Sequence, residues 1–248
     1  MIELRGRKIE TQRLGPAQGP MLVLLHEGLG SLGLWRDFPR ELSEATGLGA
    51  FIYSRAGYGQ SDAAPLPRSV RYMHDEAELL PGILQVAGIT DPILVGHSDG
   101  ASIAIIAAGQ GLAARALVLE APHVFTEESG LASIARIRDL YARTDLRAKL
   151  ARWHKDVDAA FHGWNGAWLH PDFRRWNLEE YLPAIQSPIL MIQGLNDEYG
   201  SEAQLRAIER GAGGETATVM LAGCGHSPHK EKPEETLRAI SGFLQRVL

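Results

Sequence analysis

The chain has 248 residues, 45% of them hydrophobic and 22% charged, with a formal net charge of −5. That is enough apolar material to bury a sizeable core in one domain plus an insertion, which excludes a disordered chain. The charges form no acidic or basic block, so nothing indicates nucleic-acid binding or a polybasic membrane patch, and a small molecule is the expected partner.

In chain order, the N-terminal "MIELRGRKIE" lacks the apolar segment of a secretion signal. The longest nearly apolar run, Ala101 to Gly109, is about half of the roughly 18 residues that a membrane span requires. The expectation is a soluble cytoplasmic protein without membrane partners. One cysteine, Cys224, offers neither a disulfide nor Cys/His zinc spacing, in keeping with a reducing compartment.

The segments "IELR" and "KIETQRL" read as an opening hairpin. The runs "MLVLLH" (21–26), "AFIYS" (50–54), "PILVGH" (92–97), "ARALVLE" (114–120), "PILMIQG" (188–194) and "TATVML" (216–221) are near-continuous apolar strands, as expected when both faces of a sheet are buried. Helical patterns fill most gaps between them, which predicts an α/β fold with a largely parallel sheet covered by helices. From about His123 to Pro183 the gap is too long for a simple crossover and has amphipathic patterns of its own. It is therefore read as a helical cap (residues 123–183) inserted into a core formed by residues 1–122 and 184–248.

The chemistry concentrates in "ILVGHSDGASIAIIAAG", residues 93–109. An apolar strand ends at Gly96-His97 and a small-residue helix follows Ser98, so G-x-S-x-G occupies a strand-to-helix turn. The glycines leave room for a strained turn that lifts the serine oxygen above the carboxyl edge of the sheet. His97 and Asp99 cannot complete a triad with Ser98, because adjacent side chains diverge and a base must come within roughly 2.6–3.2 Å of the serine oxygen. His97 is expected to pack beside the turn. Asp99 is expected to cap the helix while its backbone N–H serves an oxyanion. Two later strand ends carry candidate partners: Asp197 in "QGLNDEYG" and His226 in "GCGHSPHKEKPEE".

Together with "LLHEGLGS" after the third strand and "SRAGYGQSD" after the fourth, these motifs make the chain resemble the α/β-hydrolase superfamily over nearly its whole length. The resemblance implies an α/β fold with an eight-stranded, mostly parallel sheet and a cap after strand six. It also implies Ser98 as nucleophile, His226 as base and Asp197 as the acid that orients it, with no cofactor or metal. The oxyanion donors it implies are the N–H of Asp99 and that of Gly28. Where the family loop commonly begins His-Gly, this chain has His26-Glu27, which leaves Gly28 and Leu29 both open as donor. It also leaves Glu27 open between substrate contact, a bridge to the cap and ordering of the loop.

Other residues have a plainer reading beside the chemical one. Glu120 ends strand six, where some relatives carry the acid, and is the alternative to Asp197. Cys224 lacks a nucleophile turn and reads as a small buried residue. His226 and His229 imitate half a metal site without a third ligand. His154, Asp158 and His162 fall at i, i+4 and i+8 and read as a solvated helix face. Phe161, Trp164 and Trp168 form an aromatic stripe that serves either as the cap's own core or as the wall of a mostly apolar pocket. Trp164, Trp168, Glu27 and Leu29 are the candidate substrate contacts.

Three function classes follow. The first is a serine hydrolase of carboxylesterase type acting on a small apolar ester, thioester or lactone. The second is a C–C hydrolase or lyase using the same residues, and the third a non-catalytic small-ligand receptor.

Overall fold

The computed structural model describes residues 1–248. Its first strands, β1 (Ile2–Leu4) and β2 (Arg7–Ile9), pair antiparallel across a turn in which Arg5 and Gly6 both have positive φ. Then come β3 (Thr11–Leu14), β4 (Met21–Leu25), α1 (Phe38–Thr46), β5 (Gly49–Tyr53), α2 (Tyr72–Val86), β6 (Pro92–His97), α3 (Asp99–Gly109) and β7 (Ala116–Glu120). Helices α4 (Glu128–Arg143), α5 (Leu146–Leu150) and α6 (Val157–Trp168), with short 3₁₀ turns, occupy the long interval before β8 (Ile189–Gly194). The chain ends with α7 (Glu202–Gly211), β9 (Thr216–Leu221), α8 (Pro228–Glu231) and α9 (Pro233–Val247). No helix is long and apolar enough to cross a membrane.

The main sheet has the order β3-β5-β4-β6-β7-β8-β9 and is parallel except for β3. It has seven strands where eight were expected, because β1 and β2 pair only with each other. The break in "KIETQRL" falls at Glu10, whose backbone turns to the loop after β5 instead of to a neighbouring strand. Its N–H donates to Ser61 Oγ at 2.9 Å and its carbonyl accepts from the Ser54 amide at 3.0 Å.

Alternation along the strands divides the core between the two sheet faces. Val23, Leu25, Leu94 and Leu119 point to the side covered by α2 and α3. Leu22, Leu24, Ile93 and Val95 point to the side of α1 and α9, where Trp35, Leu42 and Phe243 lie. Each fully buried aliphatic side chain contributes about 1.5–3 kcal/mol.

Strand order reverses between β4 and β6, since the chain leaves β4 toward β5 on one side and returns past it to β6 on the other. The carboxyl ends flanking such a crevice are where ligands bind in open α/β sheets. "LLHEGLGS" and Ser98 emerge side by side there.

Candidate active site

Ser98 sits between β6 and α3 with φ 53° and ψ −115°, a left-handed conformation that is strained for a residue with a Cβ. The turn is possible because its flanking glycines allow β6, α3 and β4 to touch. A Cβ on Gly100 would lie 1.9 Å from the Leu25 carbonyl oxygen, and one on Gly96 would lie 2.5 Å from that of Gly100. The Ser98 carbonyl accepts from the amides of Ala101 and Ser102, at 2.9 and 3.1 Å.

Across the edge, the loops after β8 and β9 bring Asp197 and His226 to the serine. His226 Nε2 is 3.0 Å from Ser98 Oγ, and its Nδ1 is 2.9 Å from both carboxylate oxygens of Asp197. The carboxylate can only accept, so Nδ1 carries the proton and Nε2 is free to accept from the serine hydroxyl. Asp197 also accepts from the Tyr199 amide at 2.9 Å. Burial alone would raise the Asp197 pKa, but the hydrogen bond and charge of His226, with the Tyr199 amide, hold it below the ordinary carboxylate value. The loop that carries His226 is clamped on both sides of it, because the Glu231 carboxylate accepts from the amides of Gly225 (2.7 Å) and Ser227 (3.0 Å).

Glu120, the alternative acid, faces another histidine. It is fully buried and accepts from the backbone N–H and Nδ1–H of His229, at 3.0 and 2.8 Å. Despite burial, that pairing keeps the Glu120 pKa low. His229 thus has its partner inside the core rather than beside His226. His97 packs beside the turn as expected, its Nε2–H donating to the His226 carbonyl at 2.7 Å.

Asp99 departs from its expected role as a cap. No side-chain cap closes the start of α3. Its buried carboxylate instead accepts from the Tyr72 hydroxyl and from Trp168 Nε1 (3.2 Å), with Arg55 Nη2 3.9 Å away. A helix amide needs no side-chain cap when it faces a cavity that can hold an acceptor, and the backbone N–H of Asp99 has no acceptor within the protein. The amides of Gly28 and Leu29 are likewise unaccepted. All three residues line, with Ser98 and His226, a cavity of about 380 Å³.

Glu27 is tied to the core rather than to the helical insertion: its carboxylate is 3.1 Å from Lys230 on α8 and 3.8 Å from His97 Nδ1. Burial works against its charge, but Lys230 and His97 hold its pKa well below the usual range. The aromatic stripe divides. Phe161 stacks on Tyr141 with ring centroids 3.7 Å apart, inside the insertion, whereas Trp164 and Trp168 line the cavity. Trp164 lies directly over Gly28, where a Cβ would come 2.0 Å from its indole nitrogen. Ile134, Ile137, Leu146 and Leu150 supply the rest of the apolar wall.

The expected solvated face of His154, Asp158 and His162 does not form, because α6 begins only at Val157, behind an Asp156 side chain that accepts from the Ala159 amide. His154 precedes the helix and is buried. Its Nδ1 accepts from the Gly59 amide at 3.1 Å and its Nε2–H donates to the Leu29 carbonyl at 3.0 Å, joining two loops of the site. Three further residues escaped the sequence reading: Arg55 beneath the Glu27 loop, and His123 and Tyr199 on the cavity wall. Arg55 lies within "SRAGYGQSD", so its motif was visible although its contacts were not.

Burial holds several of these imidazoles neutral. His123 falls from its ordinary 6.5 to about 4, mainly through desolvation and then the neighbouring His226, and His26 and His154 are also lowered by burial. The unfolded chain therefore binds protons below about pH 6.5 that the folded chain refuses, so stability falls as pH drops from there toward 4. Thermal melts from about pH 7.5 down to about pH 5 should show a falling Tm; a flat or rising Tm would contradict these assignments.

A family model described as "Alpha/beta hydrolase family" matches residues 22–239. No match was found among curated proteins. Solved structures share the fold. An esterase from Thermogutta terrifontis has a TM-score of 0.75 at 19% identity, covering 96% of this chain and 93% of its own. The structure reported for carboxylesterases of Nitrososphaera gargenis has a TM-score of 0.78 at 20% identity, covering 97% and 95%. A proline iminopeptidase from Mycobacterium smegmatis has a TM-score of 0.77 at 15% identity, covering 99% and 97%.

Proposed function

The chain belongs to the α/β-hydrolase family, and from that premise we propose that it is a serine hydrolase of carboxylesterase type, cleaving a small, largely apolar ester, thioester or lactone through an acyl-enzyme. The observation that carries this reading is the unbroken line from Asp197 through His226 to Ser98 Oγ, at 2.9 and 3.0 Å, ending beside backbone amides that have no acceptor.

In this reading Ser98 attacks the carbonyl as His226 Nε2 takes its proton, and Asp197 stabilises the imidazolium that forms. The tetrahedral oxyanion is received by the amides of Asp99 and Gly28, which are preplaced and cost no reorganisation. His226 then protonates the leaving group, and a water activated in the same way releases the acid. Residues 123–183 serve as a cap whose inner wall, Ile134, Ile137, Leu146, Leu150 and Trp164, takes the acyl group. The buried, unpaired Cys224 fits a reducing compartment, and we place the activity in the cytoplasm.

The test is turnover by purified protein across esters, thioesters and lactones of graded acyl length. Hydrolysis of short apolar acyl groups is expected; cleavage of vinylogous diketones alone would assign the site to C–C bonds, and saturable binding without turnover would make it a receptor. A second result is expected at Trp164. Trp164→Ala should change the ratio of kcat/KM between short and longer acyl chains about tenfold or more, because the ring borders the acyl space. Labelling of Ser98 by a small phosphonate should change less than that ranking. A lowered Tm with unchanged acyl ranking would make Trp164 part of the cap's own core.

A further inference from the structure

We infer that Arg55 is a positioning residue of the oxyanion site, a buried guanidinium that orients the Glu27–Gly28 peptide unit, whose N–H receives the oxyanion, and that lies near the side chain of the second donor residue, Asp99. The inference rests on the assignment of the Gly28 and Asp99 amides proposed above. Arg55 is 1% exposed and lies beneath the turn after β4. Its Nη1 donates to the His26 carbonyl, and its Nη2 donates to the Glu27 carbonyl at 3.0 Å. That second contact matters most, because the Glu27 carbonyl and the Gly28 N–H belong to one peptide plane.

In a trans peptide the C=O and N–H point in opposite directions. The Glu27 oxygen is held from below by three donors: Arg55, His26 Nδ1 at 2.7 Å and the Gly30 amide at 3.0 Å. The Gly28 N–H is thereby turned away from them, to the side where the cavity lies. Each donor on the oxygen also polarises the N–H at the other end of the peptide and strengthens it as a donor. Glu27 can stand where the family commonly has glycine because its backbone does not take a positive φ. Its carboxylate goes separately to Lys230.

The same guanidinium also lies near the side chain of the residue that supplies the second donor, whose own peptide is held at the Ser98 carbonyl by the amides of Ala101 and Ser102. Its Nη2 lies 3.9 Å from the carboxylate of Asp99, the residue whose N–H opens α3 beside the nucleophile. Asp99 is fixed further by the Tyr72 hydroxyl and by Trp168 Nε1. Arg55 is itself held at its own backbone, where its N–H donates to His26 Nε2 at 3.1 Å, and its guanidinium lies over the Tyr58 ring, 5.0 Å from the centroid. The charge is buried with the Asp99 carboxylate 3.9 Å away, and its planar fork donates to two successive carbonyls. Lysine cannot reproduce that span.

The test compares wild type with Arg55→Lys and with the double variant Arg55→Met/Asp99→Asn. The double variant removes both buried charges together, so that no carboxylate is left buried opposite a missing guanidinium, and its Tm reports whether it is folded. Each is acylated with a chromophoric cinnamoyl ester, and kcat, KM, Tm and the carbonyl stretch of the acyl-enzyme are measured. Arg55→Lys is expected to lower kcat about 10²-fold with KM nearly unchanged. Its acyl carbonyl stretch should move to higher frequency, as fits weaker donors, and the double variant should behave alike. Wild-type kcat and stretch in folded variants, with only Tm lowered, would make Arg55 structural and overturn the inference. If wild type forms no acyl-enzyme with the cinnamoyl ester or with short-chain esters, the proposed function falls and takes this inference with it.

Discussion

Asp197→Asn should lower kcat about 10⁴-fold while the protein stays folded, the scale of loss when the acid of a triad becomes its amide. The geometry favours the wrong tautomer. The Tyr199 amide donates to one carboxylate oxygen at 2.9 Å, which favours the amide oxygen of the variant at that place and its NH₂ at the other, which is also 2.9 Å from His226 Nδ1. The imidazole then accepts at Nδ1 and carries its proton on Nε2, where it cannot take the serine proton. Glu120→Gln should have the opposite profile, with a lower Tm because it loosens a fully buried pair with His229, and turnover only mildly changed. The reverse order, with activity kept in Asp197→Asn and lost in Glu120→Gln, would move the acid to the end of β7.

The second large effect is expected at Ser98, the proposed nucleophile. Ser98→Ala should lose about 10⁶ in kcat, leaving only what the oxyanion donors and the pocket provide without a covalent step. Stability should hardly change, since the Ser98 hydroxyl has His226 as its only side-chain partner and alanine keeps the same backbone demands at φ 53°. A folded Ser98→Ala protein that keeps more than a small fraction of the activity would show that hydrolysis takes place elsewhere.

Much of this was legible in the sequence because it is written locally. A strand ending in G-x-S-x-G before a small-residue helix states its own geometry, and apolar runs at strand spacing state the sheet. Loops at the ends of later strands could be matched to Asp197 and His226 because parallel strands end on the same edge. What could not be read depends on partners distant in the chain. Glu120 and His229 are 109 residues apart, and only the fold shows that they satisfy each other. Asp99 looked like a cap because nothing local reveals that Tyr72, Trp168 and Arg55 converge on its carboxylate. His154 was misplaced for a local reason: its spacing to Asp158 and His162 is helical, but Asp156 at the N-cap starts the helix after it.

The hairpin was visible and its separation from the main sheet was not. That separation is set by Glu10, whose hydrogen bonds go to Ser54 and Ser61, more than forty residues along the chain. Arg55 stood in plain sight within a recognised motif. Its significance lies in which carbonyls it holds, and that is decided by how the turn after β4 is laid over β5.

The central claim is that Ser98 is an activated nucleophile, and a fluorophosphonate tests it most directly. Wild-type protein should take up one phosphonyl group per chain, mapped by peptide mass spectrometry to Ser98, with uptake lost in Ser98→Ala and strongly slowed in Asp197→Asn. An adduct on another residue, or none on the folded protein, would contradict the account.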